Sequence, residues 1–376
     1  MTKVGKLGKL GILTGGGDAP GLNPAIKSVV YNAAEFGIEC LGIYDGWQGL
    51  LDGYCEETMP LDPVTVRRWD RDGGTNIGSS RTNPFRLKPP GGGEPMDRSG
   101  EVLGNMDRLG LDALVVLGGE DTMGVAGKLA EMGAKIVGIP KTIDRDLWGT
   151  DYTLGFDTAL INCTEIIDRS RTPAGSHHWV QVVEVMGRTV GHLALWSGVA
   201  GGAYLILIPE HKFRYDRVFE LLEERHRRGA RDRRYPRYAV IVVAEGAAAE
   251  HEDVVTIDQE RDAFGHERLG GIGAVLSERI RKSTAYDSRA VTLGHPQRGG
   301  SPSPTDRVMG LLFGAEAVHA VIKGNFGKMV TVRGVAPACE FGTISLREVV
   351  GKISTVDVER WYNTERYHVK AKLVEP

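Results

Sequence analysis

The chain has 376 residues, 41% hydrophobic and 25% charged, with a formal net charge of −3. That balance belongs to a globular protein of about two domains at roughly 150 residues each. It excludes a general attraction to nucleic acid or to an anionic membrane.

The first predicted strand, Leu10 to Leu13, runs into Gly15-Gly16-Gly17-Asp18-Ala19-Pro20-Gly21 and then a helix, Asn23 to Glu35. Backbone N–H groups at a helix N-terminus bind phosphate, and glycines permit close approach. The loop is neither GxGxxG nor GxxxxGK[ST], so a phosphate cradle and a plain turn both fit it. Ile38 to Tyr44 is the next strand, and Leu111 to Leu117 a third. The third ends in Gly118-Gly119-Glu120-Asp121-Thr122, which opens a helix to Met132. Glu120 is suited to Mg²⁺, which is held by one or two carboxylates together with phosphate oxygens. Acids in a first helical turn also complement the helix dipole, and that reading stands beside the first.

Lys135 to Ile139 is a fourth strand, and the loop after it reads Pro140-Lys141-Thr142-Ile143-Asp144-Arg145-Asp146. Loops at strand carboxyl ends carry the chemistry of parallel α/β folds. Here a carboxylate base, a cation and a hydroxyl lie within seven residues, which suits phosphoryl transfer to an alcohol. Asp144 is the candidate base, Asp146 a residue suited to orient it or to aid Mg²⁺, and Lys141 and Thr142 the phosphate ligands.

A second alternation follows. Helix Thr158 to Ser170 leads to strand Trp179 to Val185, and Met186-Gly187-Arg188 opens a helix running to about Ala200. Arg188, at a strand end, suits charge on a transferring group. Tyr204 to Ile208 and Ala239 to Ala244 are further strands, and Arg225 to Arg237 is an arginine-rich run read as a solvated helix end. Strand Val291 to Leu293 enters Gly294-His295-Pro296-Gln297-Arg298-Gly299-Gly300, where His295 and Arg298 suit a second, non-reacting phosphate. A helix from about Asp306 to Lys323 returns to the first half, and the segment after about Phe326 reads as strand plus a closing helical tail. Apart from a Gly91-Gly92-Gly93 tract, the 51 glycines are spread over separate turns. The expected fold is α/β: two Rossmann-like three-layer α/β domains with mainly parallel sheets and an active-site cleft between them. Cys40, Cys55, Cys163 and Cys339 form no CxxC pair, no apolar h-region opens the chain, and no apolar run reaches bilayer length. A cytoplasmic, reducing setting is expected.

Taken in order, these motifs closely resemble the phosphofructokinase A family, the 6-phosphofructokinases, over roughly residues 8 to 325. They include Gly16 to Gly21, Gly73-Gly74-Thr75, Thr142-Ile143-Asp144, Gly149-Thr150-Asp151-Tyr152, Glu184 to Arg188, and Leu293 to Pro302. The resemblance implies that Gly16, Gly17, Asp121 and Thr122 line the donor phosphates and that Arg81 contacts the transferring one. It implies Glu120 as the magnesium carboxylate and Asp144 as the base. Met186, Gly187, Arg188 and Glu245 match sugar-binding positions, and Arg289, His295 and Arg298 match ligands of the 6-phosphate. Arg289 would come from a neighbouring subunit, implying a homodimer or homotetramer. Residues 1–156 with about 297–345 would form the donor domain, and 157–296 with about 346–376 the sugar-phosphate domain.

Asp121 and Lys141 are what pyrophosphate-using members carry, where ATP users generally have glycine in place of Asp121. A carboxylate there fills the room of an α-phosphate and nucleoside. It also repels an anion by about 4 kcal/mol at ~4 Å and an effective dielectric near 20. The implied activity is reversible, pyrophosphate-dependent phosphorylation of the 1-hydroxyl of fructose 6-phosphate, a step of glycolysis. Two departures keep alternatives open. Arg145 replaces the family's usual asparagine between two carboxylates, and would weaken Asp144 as a base if it faced them. Trp179 replaces a usual arginine at the 6-phosphate, a loss of about 1.5–3 kcal/mol, which leaves room for another sugar or sugar phosphate. An ATP-dependent 6-phosphofructokinase and a non-catalytic ligand-binding homologue are the remaining readings.

Overall fold

The computed structural model describes residues 7–88, 93–261 and 264–371. Gly91 and Gly92 of the glycine tract, and residues 372–376 of the tail, lie outside them. The chain divides into two compact units: 1–158, 261–266 and 298–354 in the first, 159–260, 267–297 and 355–376 in the second.

In chain order, β1 (Lys9–Thr14), α1 (Leu22–Glu35), β2 (Glu39–Ile43) and β3 (Thr58–Leu61) are followed by α2 (Ser99–Arg108), β4 (Ala113–Gly118), α3 (Glu120–Glu131) and β5 (Ile136–Pro140). Then come α4 (Phe156–His177), β6 (Val180–Val185), α5 (His192–Ala200), β7 (Leu205–Leu207), α6 (Tyr215–Arg231) and β8 (Ala239–Ala244). The chain continues through β9 (Thr256–Arg261), β10 (Glu267–Leu269), α7 (Ile272–Ser283), β11 (Ser288–Thr292), α8 (Pro304–Ile322), β12 (Lys328–Val335) and β13 (Ala338–Ser345).

The first unit holds a seven-stranded sheet in the order β13-β12-β5-β4-β1-β2-β3. Its five central strands are parallel, and the edge strands β3 and β13 run antiparallel to their neighbours. All six residues of β4 are buried, as a strand covered on both faces requires. The second unit holds a four-stranded parallel sheet, β11-β6-β8-β7, whose central strands β6 and β8 are buried throughout. No helix among the described residues is long and apolar enough to cross a membrane.

Three boundaries differ from expectation for local reasons. The helix after Met186 starts only at His192, because Gly187 and Arg188 take φ of 147° and 51°, which a right-handed helix cannot use. The segment after Phe326 is a β-hairpin, β12 and β13, followed by short helical turns at Leu346–Val349 and Val358–Trp361. The helix read from Thr158 to Ser170 extends from Phe156 to His177. The arginine-rich run ends α6: Arg225 lies over the Tyr204 ring at 4.3 Å, while Arg228 pairs with Glu224 and Arg234 with Asp232.

Helix α8 closes the first unit against α1 through small residues. A Cβ at Gly310 would stand 2.9 Å from the Gly21 carbonyl oxygen, and one at Gly314 2.6 Å from that of Ala25. At the start of α8, Asp306 is fully buried. Its carboxylate accepts bonds from the Tyr152 hydroxyl (2.7 Å), the Gly155 N–H (2.8 Å), and the N–H and hydroxyl of Thr158 (2.9 and 2.5 Å). Burial pushes the Asp306 carboxyl up against the pull of these four donors. Asp306 thereby ties the Tyr152 segment, just after the catalytic-loop candidates, to the returning helix. Removing it strands four buried donors at once, so Asp306→Ala should cost about 3–5 kcal/mol and Asp306→Asn less, measured as a shift in the urea unfolding midpoint.

Candidate functional site

The donor-side residues gather in the first unit. Thr14, the last residue of β1, is buried and bonds its hydroxyl to the Gly78 carbonyl (2.5 Å) and to Thr75 (3.0 Å). Gly16 donates its N–H to the Ser80 carbonyl at 2.9 Å, and Ser79 returns its hydroxyl to the Gly16 carbonyl at 2.6 Å. The Ser79-Ser80-Arg81 segment therefore lies alongside the glycine loop, with Arg81 exposed beside it. Gly16 takes φ of 79°, where a side chain is strained. A Cβ on Gly17 would stand 2.8 Å from a guanidinium nitrogen of Arg298, whose flexible side chain would have to shift to admit it.

Lys141 binds this loop from the other side. Its ammonium, buried beneath the loop, donates to the Gly15 carbonyl at 2.9 Å and also to that of Gly17. Burial is the main cause that pushes this ammonium down to about 7. Arg298 and Arg81 add to that effect, while Asp18 and Asp144 oppose it. Asp144 is 4% exposed, its Oδ1 is buried with no hydrogen-bond partner among the described residues, and its N–H donates to the Thr142 hydroxyl at 3.1 Å. A buried carboxylate oxygen without a donor is an acceptor waiting for one, as a general base must be. The main chain of Asp146 accepts from the Ser354 N–H. Arg145 sits at φ 57°, donates to the Asp151 carbonyl at 3.1 Å and lies over the Phe156 ring at 5.4 Å. Those partners take its guanidinium, so it does not pair with the carboxylates on either side of it.

Glu120 and Asp121 open α3, where both complement the helix dipole. One Glu120 oxygen, Oε1, accepts from the Gly351 N–H at 3.1 Å. Thr122 is buried, with its hydroxyl packed toward Gly15 and Gly16. Asp121 holds a partner the sequence did not signal: His266 Nε2 lies 3.0 and 3.2 Å from its two oxygens. Nothing in the motif pattern marks His266, which lies 145 residues further on. Among the described residues no three metal-binding side chains form a group. Glu120 supplies hard carboxylate oxygens suited to a divalent ion of the Mg²⁺ kind, whose remaining ligands would be phosphate oxygens and water.

The residues expected to bind the sugar phosphate lie in the second unit, Arg298 excepted. The Met186 N–H donates to Gln297 Oε1 at 3.1 Å, and the Arg188 N–H to Glu245 Oε1 at 3.0 Å. Gly187 is indispensable at its φ of 147°, since a Cβ would stand 2.5 Å from the Val190 carbonyl oxygen. Two supporting residues escaped the sequence reading. Gln297, wholly buried, also bonds Gly294 and Asn162. Gly246 leaves space for the Arg188 carbonyl oxygen, which a Cβ would meet at 1.8 Å. The signal for Gln297 was present, a glutamine inside the quoted turn. Arg289 and His295 are exposed on β11 and the following turn. Arg298, expected among the 6-phosphate ligands, belongs to the first unit and donates to the Asp18 carbonyl at 3.2 Å.

Residues 9–321 match the family described as Phosphofructokinase. The chain is 46% identical, over 95% of its length and 98% of the relative's, to a pyrophosphate–fructose 6-phosphate 1-phosphotransferase of Amycolatopsis mediterranei. It is 41% identical, over 95% and 99%, to ATP-dependent 6-phosphofructokinase 3 of Streptomyces coelicolor. Its fold is that of a pyrophosphate-dependent phosphofructokinase from Marinobacter aquaeolei, with a TM-score of 0.78 at 21% identity over 97% of this chain and 89% of that one.

The depressed Lys141 ammonium makes a prediction about folding. Between about pH 7 and 10.5 the unfolded chain holds a proton here that the folded chain has lost, so this group's contribution to stability increases as pH rises. From pH 7 to 9, wild type should gain on the order of 2 kcal/mol relative to Lys141→Met, measured by urea unfolding at each pH. A difference independent of pH would remove Lys141 as the titrating group.

Proposed function

The chain belongs to the phosphofructokinase family, and we infer that it phosphorylates the 1-hydroxyl of fructose 6-phosphate using pyrophosphate. The enzyme is a diphosphate–fructose-6-phosphate 1-phosphotransferase and serves glycolysis. What supports the donor assignment most is Lys141, a buried ammonium fixed to the glycine loop. Pyrophosphate, with no nucleoside beyond it, needs such a cation and has no use for the space that Asp121 fills. We assign Gly16, Gly17, Thr122 and Arg81 to the donor phosphates, with Asp121 held by His266 at the loop's edge. Glu120 we assign to a divalent ion, Mg²⁺, which when bound would neutralise charge on the donor.

Asp144 takes the proton of the sugar 1-hydroxyl on its partnerless oxygen, with Thr142 fixing the turn that holds it and Asp146 beside it. As the phosphoryl group moves, negative charge is met by Lys141, Arg81 and Arg188. Met186, Gly187, Arg188 and Glu245 bind the sugar. Arg289, offered to the neighbouring subunit of a homo-oligomer, and His295 and Arg298 bind its 6-phosphate. Arg145, with its guanidinium taken by Asp151 and Phe156, leaves the base unpaired by a cation. The exchange of one phosphoanhydride for a phosphate ester is close in energy, so the reaction runs in both directions.

Purified protein with Mg²⁺ and fructose 6-phosphate should turn over with pyrophosphate and at least a hundredfold more slowly with ATP. No turnover with either donor would overturn this reading and move the acceptor to another sugar phosphate. Asp144→Ser should lower kcat by about 10²–10⁴-fold while leaving ligand-induced thermal stabilisation in place; near-full activity would take the base role from Asp144. Asp121→Gly combined with Lys141→Gly should raise ATP-dependent turnover while pyrophosphate-dependent turnover falls. An unchanged ATP rate in that variant would refute the steric account of donor choice.

A further inference from the structure

Trp179, the departure from the family pattern, is not isolated packing. It is 8% exposed, and its indole stacks on the His177 ring at 5.0 Å between centroids and 10° between planes. Over the same indole lies the Arg289 guanidinium, 4.1 Å from the ring centroid. The indole N–H donates to Gln181 Oε1 at 3.2 Å. The amide of Gln181, in turn, donates to the Arg289 carbonyl at 3.1 Å. Gln181 sits directly opposite Arg289 in the β6–β11 register, and it is buried. One glutamine thus fixes both the ring and the main chain of the residue whose side chain the ring carries.

The geometry leaves the guanidinium half free in a useful way. A cation–π stack engages the face of the guanidinium, whereas its N–H donors radiate in the plane. The remaining charged partner, Asp287 at 3.6 Å, is a surface contact with both side chains 59% exposed, and such pairs hold weakly. The donor edge is therefore available for bidentate contact with a phosphate.

We propose that Trp179 is a positioning residue for sugar-phosphate binding, and that its indole, clamped by Gln181 and His177, holds Arg289 with its donor edge toward the phosphate. The proposal rests on the reading of Arg289 as a 6-phosphate ligand. In this account a missing second arginine is offset by fixing the one that remains.

The test is a steady-state cycle with pyrophosphate and fructose 6-phosphate. Arg289→Ala should raise KM for the sugar phosphate tenfold or more. Trp179→Met, which keeps bulk but loses the ring face, should raise KM about three- to tenfold with kcat within about twofold. Trp179→Phe, which keeps a ring, should stay near wild type. The double variant Trp179→Met with Arg289→Ala should be no worse than Arg289→Ala alone, because the ring acts only through the guanidinium. Multiplying effects in the double variant, or an unchanged KM in Trp179→Met, would overturn the positioning role while leaving Arg289 as a ligand. An unchanged KM in Arg289→Ala would instead overturn the reading on which the proposal stands. Should Trp179→Met not fold, tryptophan emission decides. Fructose 6-phosphate should change it in wild type and not in Trp179→Phe, and equal changes in both would refute the stack as the responding element.

Discussion

A single buried ammonium organises the donor half of this protein. Lys141 sits where β5 ends, and it is held there by backbone: its N–H bonds the Gly118 carbonyl and it forms a bridge with Leu154. Its side chain crosses under the glycine loop and bonds the carbonyls of Gly15 and Gly17. The ends of β1, β4 and β5 are thereby tied together by one residue, through its main chain to β4 and its side chain to the loop after β1. Taking an ammonium out of water is costly, and here main-chain carbonyls return only part of the hydration lost. On the proposed reading, an anionic donor bound at this loop would restore the missing counter-charge.

The chemistry of the site was legible where it is carried by local sequence. Gly16, Lys141, Asp144 and Arg188 all lie in loops at strand ends, next to apolar runs such as Ile136 to Ile139 that read as buried strands. Those runs fix the topology, and the topology fixes the loops. What could not be read was contact between residues far apart in the chain. His266 on Asp121 and Asp306 under Tyr152 join segments more than 140 residues apart, and no periodicity signals them. The direction of Arg145 was equally hidden, because it depends on a left-handed φ that an arginine rarely adopts. Backbone exceptions of that sort also displaced the start of α5.

The two departures from the family pattern receive different structural accounts. Arg145 is turned onto the Asp151 carbonyl and the Phe156 ring, so the position between the two carboxylates holds a cation that is directed away from Asp144. Trp179 is tied by hydrogen bond and stack into the edge of the second unit's sheet. In one case the altered arginine is absorbed by the Phe156 ring, and in the other the altered residue is itself the ring over which Arg289 lies.

The close packing of α1 on α8 has a consequence for how the chain is made. Helix α1 ends at Glu35, but the helix that covers it ends at Ile322. At roughly 5–20 residues per second, about fifteen seconds to a minute of synthesis separate the two. During that interval an apolar face containing Ala25, Val29 and Ala33 has no cover from its native neighbour, while the whole intervening unit emerges. The close contact of α1 with α8 therefore cannot form until Gly310 and Gly314 have left the ribosome.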